Sequence, residues 1–254
     1  MSIVRLDRIA WQTGGITVVE DVSFETAAGE CVALMGRNGA GKSTVVDVMA
    51  GLRRPTRGSV RLDGRPLDAW TPMERARRIA HLPQTVRAET SFTVEQLVLM
   101  GRYPHADRWF ESDADRRAAE HAMTTCGCLA FRHRRVSTLS GGERQRALLA
   151  ACLAQQPAML LLDEPSTFLD VDQQLLCFSL LRGEAASGRA CIAVTHDVNL
   201  ALTFCTRIIV LAERTVACDL PVSEALTRRD WLALLSSRLH INTTGDGRPW
   251  VSYQ

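Results

Sequence analysis

Short apolar runs rich in Val, Ile and Leu recur along this sequence, bounded by glycine, proline and polar residues. Such runs predict buried β-strands, and they lie at Cys31 to Met35, Ile79 to Leu82, Met159 to Leu162, Cys191 to Val194 and Ile208 to Leu211. Segments with helical spacing lie between several of them, at Lys42 to Ala50, Gly142 to Ala154 and Gln173 to Ala186. This alternation predicts an α/β core in which helices cross over between strands of a sheet.

Two regions depart from the alternation. Near the start, apolar positions such as Val4, Leu6 and Ile9 alternate with polar ones, which predicts a flanking layer of antiparallel strands. Residues 92–138 have helical patterning without a strand-like run, which predicts an inserted helical subdomain. We predict a single domain over 1–254, with the core and its β layer at about 1–91 and 139–240, the helical subdomain at about 92–138, and an irregular C-terminal tail at about 241–254.

Composition narrows the possible partners. A formal net charge of +2 is too mild to indicate nucleic acid, which calls for a strongly basic patch. No apolar stretch approaches the roughly 20 residues of a membrane helix, and Arg5, Asp7 and Arg8 interrupt any signal-peptide core. Cys126 and Cys128 lack the second ligand pair of a zinc site. We expect a cytosolic protein whose membrane role, if it has one, comes through a partner.

A phosphate-binding loop follows the first predicted core strand. The sequence there fits G-x-x-x-x-G-K-[ST], in which glycines let successive backbone N–H groups point at phosphate oxygens and the next helix presents its positive end. The lysine is expected to reach the β- and γ-phosphates, and the serine after it to ligate Mg²⁺. The candidate residues are Gly36, Arg37, Asn38, Gly39, Ala40, Gly41, Lys42, Ser43 and Thr44.

Two adjacent carboxylates end the predicted strand that starts at Met159. Because side chains alternate along a strand, Asp163 and Glu164 are expected to point in different directions. Asp163 then suits Mg²⁺, directly or through water, and Glu164 suits the polarisation of an attacking water. Alone, this pattern also fits a strand that ends in solvated acids.

The segment Leu139 to Arg146 reads Leu-Ser-Gly-Gly-Glu-Arg-Gln-Arg and opens a predicted helix whose N-terminus is free to meet an anion. Together with the phosphate loop, it makes the chain resemble an ATP-binding cassette, the nucleotide-binding subunit of an ABC transporter. The resemblance covers nearly the whole chain, with the motifs in the expected order. It implies an ABC-type P-loop NTPase fold and an ATPase that couples hydrolysis to transport.

The resemblance also implies roles for single residues. Ser140, Gly141 and Gly142 would contact the γ-phosphate held by a second copy of the chain, so that two copies sandwich two nucleotides. Gln84 would sense Mg²⁺ and the attacking water, and His196 the γ-phosphate. Asp170 would lie at the interface between copies. Trp11 would be an aromatic platform for adenine or, alternatively, a partly buried packing residue.

The subtype of cassette is indicated by two short segments. Gly101-Arg102-Tyr103-Pro104-His105 and Glu224-Ala225-Leu226-Thr227 resemble the cassettes of importers for iron chelates, haem and vitamin B12. This implies membrane permease subunits, a substrate-binding protein, and a peripheral position at the cytoplasmic face of the inner membrane. The alternatives are an exporter or lipid-moving complex and, less favoured, a soluble ABC ATPase. Residues 212–221 depart from the pattern by lacking hairpin glycines, with no expected effect on the ATP site.

Overall fold

The computed structural model describes residues 2–85, 91–105, 111–243 and 249–253. The strands in these ranges are β1 (Ser2–Thr13), β2 (Ile16–Ala27), β3 (Cys31–Gly36), β4 (Arg57–Leu62), β5 (Arg65–Pro66), β6 (Ile79–Leu82), β7 (Met159–Asp163), β8 (Ala190–Val194), β9 (Arg207–Ala212), β10 (Thr215–Pro221), β11 (Leu239–Thr243) and β12 (Pro249–Tyr253). The α-helices are α1 (Lys42–Met49), α2 (Pro72–Arg78), α3 (Val94–Met100), α4 (Asp113–Thr125), α5 (Gly141–Ala154), α6 (Val171–Ala186), α7 (Val198–Phe204), α8 (Val222–Ala225) and α9 (Asp230–Leu235).

The central sheet has the order β10-β9-β3-β8-β7-β6. Strands β9, β3, β8, β7 and β6 are parallel, and β10 pairs antiparallel with β9 at one edge. Strands β3, β7 and β8 are buried along their whole length, as expected for a parallel sheet covered on both faces. All five predicted core strands are present within one or two residues, and the α/β fold class is confirmed.

The predicted β layer is present as a separate antiparallel sheet of order β2-β1-β4-β5. Its apolar face meets one face of the central sheet and helix α1, forming a core that includes Val4, Leu6, Val32 and Val45. Alternation along β1 therefore reports a sheet with one covered face. Since α1 lies between the two sheets, the β layer holds the helix that follows the phosphate loop.

The helical region contains α3 and α4, which pack against α5. Both helices begin with reciprocal capping: Thr93 and Gln96 cap α3, and Ser112 and Asp115 cap α4. These boxes satisfy backbone donors at the start of each helix, which explains where the helices begin. The subdomain boundaries given above stay predictions.

The prediction of an irregular tail is wrong for its described residues, because β11 and β12 form an antiparallel pair. Val251 is buried, and the side chain of Asn199 on α7 bonds both its N–H and its C=O, at 2.7 and 3.1 Å. Ile241 faces the same core. The glycines of this segment, Gly245 and Gly247, lie outside the described residues, and they outweighed the β-forming residues beside them in the sequence prediction.

The hairpin between β9 and β10 turns without glycine. Glu213 and Arg214 both have positive φ, 49° and 70°, which is the backbone of a tight two-residue hairpin turn normally built from Gly or Asn. The Arg214 carbonyl accepts a bond from the Glu20 N–H at 2.7 Å, which fixes the turn against β2. In the described ranges, we find no helix with the length and apolar character needed to cross a membrane.

Candidate active site

The phosphate loop connects β3 to α1 at the carboxyl edge of the sheet. Two glycines are required by contact: a Cβ on Gly36 would lie 2.4 Å from the Leu211 carbonyl oxygen, and one on Gly41 would lie 2.3 Å from Val19 Cγ1. Gly41 also has a φ of 93°, a left-handed conformation that favours glycine. The loop is therefore clamped between β9 and the β layer.

Lys42 is the first residue of α1 and is buried. Its Nζ donates to the Gly36 and Arg37 carbonyl oxygens at 2.9 and 3.1 Å. Burial lowers the pKa of this ammonium, while the nearby carboxylates of Glu164 and Asp163 act against that shift. A cation is thus held inside the loop that the sequence assigns to phosphates.

The remaining loop residues are more accessible. Arg37, Asn38, Gly39 and Ser43 are exposed, and Ala40, Gly41 and Thr44 are half-buried. Arg37 donates through Nε to the Leu235 carbonyl at 3.1 Å, and so ties the loop to the end of α9. This tether was not foreseen, because nothing in the motif indicates that the C-terminal part of the chain supports the loop.

Asp163 ends β7 beside the loop and is only 5% exposed. Its Oδ1 is buried and accepts no hydrogen bond from the described residues. Burial raises the pKa of this carboxyl, and a hydrogen bond from the Ser43 hydroxyl opposes the shift. An orphaned carboxylate oxygen beside a serine hydroxyl fits a hard cation such as Mg²⁺, which takes oxygen ligands.

Glu164 adopts a left-handed backbone conformation, with φ of 53°, an uncommon geometry for a non-glycine residue that concentrates at functional sites. Its N–H donates to the Val194 carbonyl at 3.1 Å, which fixes the bend against β8. The carboxylate contacts His196 through Oε1 at 3.2 Å and accepts from the Thr167 hydroxyl through Oε2 at 3.0 Å. Thr167 is a positioning contact that sequence reasoning missed.

Strand register brings the remaining polar residues to the same edge. Leu82 pairs with Leu162 and Asp163 with Val194, so Gln84 and His196 each lie two residues past a strand that neighbours β7. Gln84 is exposed. The structure thus collects the loop, both acids, Gln84 and His196 at the carboxyl ends of β3, β6, β7 and β8, where ligands of open α/β sheets bind.

His81 is a half-buried residue near this edge that the sequence analysis did not single out. His81 interrupts the apolar run of β6, and its Nε2 is buried without a hydrogen-bond partner among the described residues. Burial lowers its pKa, and the carboxylates of Asp47 and Asp163 oppose that shift. A histidine inside a predicted buried strand could have marked this position.

Ser140 caps α5. Its hydroxyl accepts from the Glu143 N–H, and the Glu143 carboxylate accepts from the Ser140 N–H at 2.9 Å. A Cβ on Gly142 would lie 2.2 Å from Gln173 Oε1, and one on Gly141 would lie 3.2 Å from Phe168 Cβ. The two glycines therefore lie close to the segment around Asp170. Asp170 itself caps α6, because its Oδ1 accepts from the Gln173 N–H at 2.9 Å.

Trp11 lies on β1 opposite Val19 and packs, half-buried, against the core under the β layer. The guanidinium carbon of Arg53 lies 4.6 Å from the Trp11 ring centroid, and Arg53 is held there by Asp47 at 2.7 Å. One face of the indole is thus covered by a cation. Both roles given to Trp11, adenine platform and packing residue, stay predictions.

The Gly101 to His105 segment forms a junction, away from the phosphate loop. Arg102 is buried and donates to Asp115 Oδ1 at 2.9 Å, to the Ala154 carbonyl at 2.7 Å and to Gln156 Oε1 at 2.9 Å. A Cβ on Gly101 would lie 2.2 Å from the Ala151 carbonyl. The motif therefore locks the ends of α3 and α5 to the start of α4.

Seven of the eight cysteines are buried, and Cys218 is half-buried. Cys126 and Cys128 are both buried, and burial raises the pKa of the Cys128 thiol to about 11. Among the residues that the structure describes, we find no group of three or more His, Cys, Asp or Glu side chains arranged to hold a metal ion.

Comparison with known proteins gives consistent matches. A hemin import ATP-binding protein, HmuV of Rhodococcus jostii, is 42% identical over 224 residues, which cover 88% of this chain and 76% of that protein. A cobalamin import ATP-binding protein, BtuD of Halobacterium salinarum, is 42% identical over 206 residues, 81% of this chain and 52% of that one. The dimeric structure of a bacterial ABC transporter cassette superimposes with a TM-score of 0.76 at 26% identity, covering 86% of this chain and 98% of that one.

The profile of the family described as "ABC transporter" matches residues 19–167. That range begins in β2 and ends just after Glu164, so it contains the phosphate loop, Gln84, the capped start of α5, and both Asp163 and Glu164. Because the match spans more than half of the chain and close relatives extend it, this chain belongs to the ABC transporter family and is an ATP-hydrolysing cassette.

Proposed function

We propose that this cassette energises the import of an iron chelate, haem or cobalamin through a separate membrane permease. The observation that carries the proposal is the 42% identity to proteins named for hemin import and for cobalamin import. The segment Gly101 to His105 supports it through its resemblance to the same segment in cassettes of importers for iron chelates, haem and vitamin B12. The cargo class rests on the relatives, since this chain's described site binds nucleotide.

The chemistry is assigned to residues at the carboxyl edge of the sheet. Glu164, oriented by Thr167 and His196, accepts the proton of the attacking water as a general base. Lys42 neutralises charge on the β- and γ-phosphates, and backbone N–H groups of the loop stabilise the same oxygens. His196 contacts the γ-phosphate.

Ser43, Asp163 and Gln84 are the residues that would hold Mg²⁺, and the orphaned Asp163 Oδ1 supports this assignment. When bound, the ion supplies charge neutralisation at the β- and γ-phosphates.

A second copy of the chain completes each site in this proposal. Ser140 and Gly141 are exposed at the start of α5, and the neighbouring Phe168 and Val171 are 64% and 71% exposed. Exposed apolar side chains beside a helix N-terminus favour burial against a partner. Each ATP would then lie between one chain's phosphate loop and the other chain's Ser140 to Gly142, and closure around ATP would be the power stroke.

The permease would dock on the helical lobe. Phe92, Met100 and Tyr103 are 40%, 44% and 69% exposed around α3 and the motif that follows it. Because α3 packs on α5, whose first residues form the nucleotide contact, motion at one end of α5 reaches the docking face. The chain would thus lie peripherally at the cytoplasmic face of the inner membrane, with a substrate-binding protein on the other side.

The test is purification of the tagged chain from native membranes, followed by identification of the polytopic protein that accompanies it. The complex is then reconstituted in proteoliposomes with radiolabelled haem, cobalamin and ferric chelates. ATP-driven movement of one of these towards the membrane face opposite the cassette would contradict import, and movement towards the cassette's own face supports it. Recovery of a lipid-moving partner would favour the exporter alternative.

A further inference from the structure

Arg134 is an exposed residue in the loop before α5, and its guanidinium joins two residues that lie on either side of Ser140. Its Nη1 donates to Glu143 Oε1 at 2.7 Å, and its Nη2 donates to the Thr138 carbonyl at 3.0 Å. One side chain therefore fastens the turn that leads into α5 to the first turn of the helix. Because an exposed ion pair contributes little to folding stability, this contact calls for a functional reason.

Glu143 uses both of its carboxylate oxygens within its own chain. Oε2 accepts from the Ser140 N–H at 2.9 Å, and Oε1 accepts from Arg134. The hydrogen bond from the Ser140 N–H, and then the charge of Arg134, lower the pKa of Glu143, so the carboxylate is held in its ionised form. A full negative charge thus lies in the first turn of α5.

A negative charge at this position opposes the contact proposed for Ser140 to Gly142. The N–H groups at the start of a helix attract anions, and an acidic side chain in the first turn competes for the same positive end. A γ-phosphate that the second chain brings to α5 would therefore meet the charge of Glu143, and like charges across an interface weaken it. The Arg134 guanidinium, 2.7 Å from the carboxylate, offsets that charge.

We propose that Arg134 is a positioning residue for the contact between α5 and the nucleotide held by the second chain, and that it acts by neutralising and holding Glu143. The inference rests on the shared ATP site proposed above. With Glu143 in place, Ser140 Oγ accepts from the Glu143 N–H at 3.2 Å and keeps its own O–H to donate to a phosphate oxygen. Arg134 acts through Glu143 and needs no contact of its own with the nucleotide.

The test compares Arg134→Gln with Arg135→Gln in a Glu164→Gln background, which we expect to hold ATP and accumulate as a dimer. Arg135 is the exposed neighbour, and its replacement changes the net charge equally. Sedimentation velocity of the full chain at saturating ATP and Mg²⁺ gives the dimer Kd. We expect Arg134→Gln to raise this Kd roughly tenfold or more, because each dimer contains two such contacts, and Arg135→Gln to change it less than about twofold. Equal Kd values for the two variants would overturn the role of Arg134.

Glu143→Gln separates neutralisation from a general loosening of the turn. The amide oxygen still accepts from the Ser140 N–H, but the side chain carries no charge, so this dimer should be at least as tight as its parent. Adding Arg134→Gln to Glu143→Gln should then change the dimer Kd less than about twofold, since the charge that Arg134 offsets is gone. Arg134→Lys, which keeps the positive charge, should recover most of the dimer. An equal loss from Arg134→Gln with and without Glu143→Gln would show that Arg134 acts through Thr138 and would overturn the proposal.

ATP binding by the single chain distinguishes this role from damage to the fold. Titration with fluorescent ATP, at chain concentrations far below the dimer Kd, reports the chain's own phosphate loop, so Arg134→Gln should match its parent. A weaker affinity of the single chain would show general damage and contradict a positioning role. If the parent forms no dimer with ATP, the shared site of the proposed function fails. If the parent forms a dimer and Arg134→Gln behaves like Arg135→Gln, only the role of Arg134 fails.

Discussion

Asp163 and Asp115 are both buried aspartates, 5% and 8% exposed, but their surroundings shift their pKa values in opposite directions. At the sheet edge, burial raises the pKa of Asp163, and one of its oxygens has no partner among the described residues. In the helical lobe, hydrogen bonds from Ser112 and then from Arg102 lower the pKa of Asp115 to about 2. One acid is left incomplete, whereas the other is fully satisfied within the chain.

The difference separates function from architecture. A buried carboxylate that is paired and hydrogen-bonded is complete as folded, as at the Arg102 junction. A buried carboxylate with a raised pKa in a cleft indicates a site that a ligand completes. The left-handed backbone of Glu164 and the burial that lowers the pKa of Lys42 also cost folding stability at this edge of the sheet. Of these two buried aspartates, the one at the proposed ATP site keeps an oxygen without a partner among the described residues, whereas the one in the helical lobe is paired through both oxygens.

The largest effect is expected at the sheet edge. Glu164→Gln keeps the shape of the side chain but removes the general base, which is typically worth 10²- to 10⁴-fold in rate. We expect phosphate release to fall by about that factor, while ATP still binds and a dimer accumulates on size exclusion. Glu120→Gln, on the exposed surface of α4, is the control. If Glu164→Gln turns over ATP at the wild-type rate, Glu164 is not the general base.

The second-largest effect is expected at the Arg102–Asp115 pair in the helical lobe. Arg102→Ala leaves Asp115 buried without its cation, and breaking such a pair costs about 3–5 kcal/mol. Urea unfolding should show this loss in the free energy of unfolding. Arg116→Ala removes only a loose, exposed pair with Glu111, 3.9 Å apart, and should cost less than about 1 kcal/mol. Similar losses in the free energy of unfolding for the two variants would mean that the Arg102–Asp115 pair does not stabilise the helical lobe more than an exposed ion pair does.

The pH dependence of the junction follows from the lowered pKa. Asp115 contributes stability that is present above its ordinary pKa of 3.8 and is lost as the pH falls through about 2. Arg102→Ala should therefore lose less stability than the wild type between pH 4 and pH 2, beyond losses at other carboxylates. A parallel loss in both proteins would contradict the assignment.

Asp163→Asn tests whether the buried acid at the sheet edge destabilises the fold when it is ionised. Because burial raises the pKa of Asp163 in the folded state, the folded chain binds a proton more tightly than the unfolded chain, and stability from this group falls as pH rises through that window. At pH 7 the neutral amide should therefore raise the free energy of unfolding and the Tm, while Mg²⁺-dependent turnover is lost. A lower Tm would show that the ionised acid stabilises the fold.

The smallest effect is expected at Trp11, for which we test two roles: a contact to adenine in the ATP site and a packing contact within the fold. If adenine stacks on the indole, Trp11→Leu should weaken ATP binding by about three- to tenfold, because an aromatic contact contributes about 0.5–1.5 kcal/mol. Fluorescent ATP titration and thermal melts are run on the same variant. An unchanged ATP affinity with a lowered Tm would assign Trp11 to packing under Arg53.

The strands and helices of the core were predictable because each is long, buried and uniformly patterned, as in β7 and α5. The phosphate loop and the acids were predictable because their chemistry requires fixed residue types at fixed spacing. Their placement at one edge follows from parallel strands. What could not be predicted depends on distant parts of the chain, such as the Arg37 contact with Leu235, which joins residues far apart in sequence.

Other misses arose from local signals that competed. Gly245 and Gly247 favoured an irregular tail, yet Trp250 and Val251 belong to a strand that Asn199 anchors. Glu213 and Arg214 adopt a turn that their residue types do not favour, because the pairing of β9 with β10 and the bond to Glu20 impose it. The role of Arg102 was invisible, since Gly-Arg at a helix end reads as an ordinary stop signal.

The central claim is that two chains share each ATP, with Lys42 from one and Ser140 from the other. In a Glu164→Gln background that retains ATP, differently tagged Lys42→Ala and Ser140→Ala chains are mixed, and dual-tagged dimers are isolated for ATP counting. The account predicts about one ATP per dimer, and none when a Lys42→Ala/Ser140→Ala double mutant is paired with a chain carrying neither change. The reverse pattern, with ATP retained only by the second pairing, would contradict it.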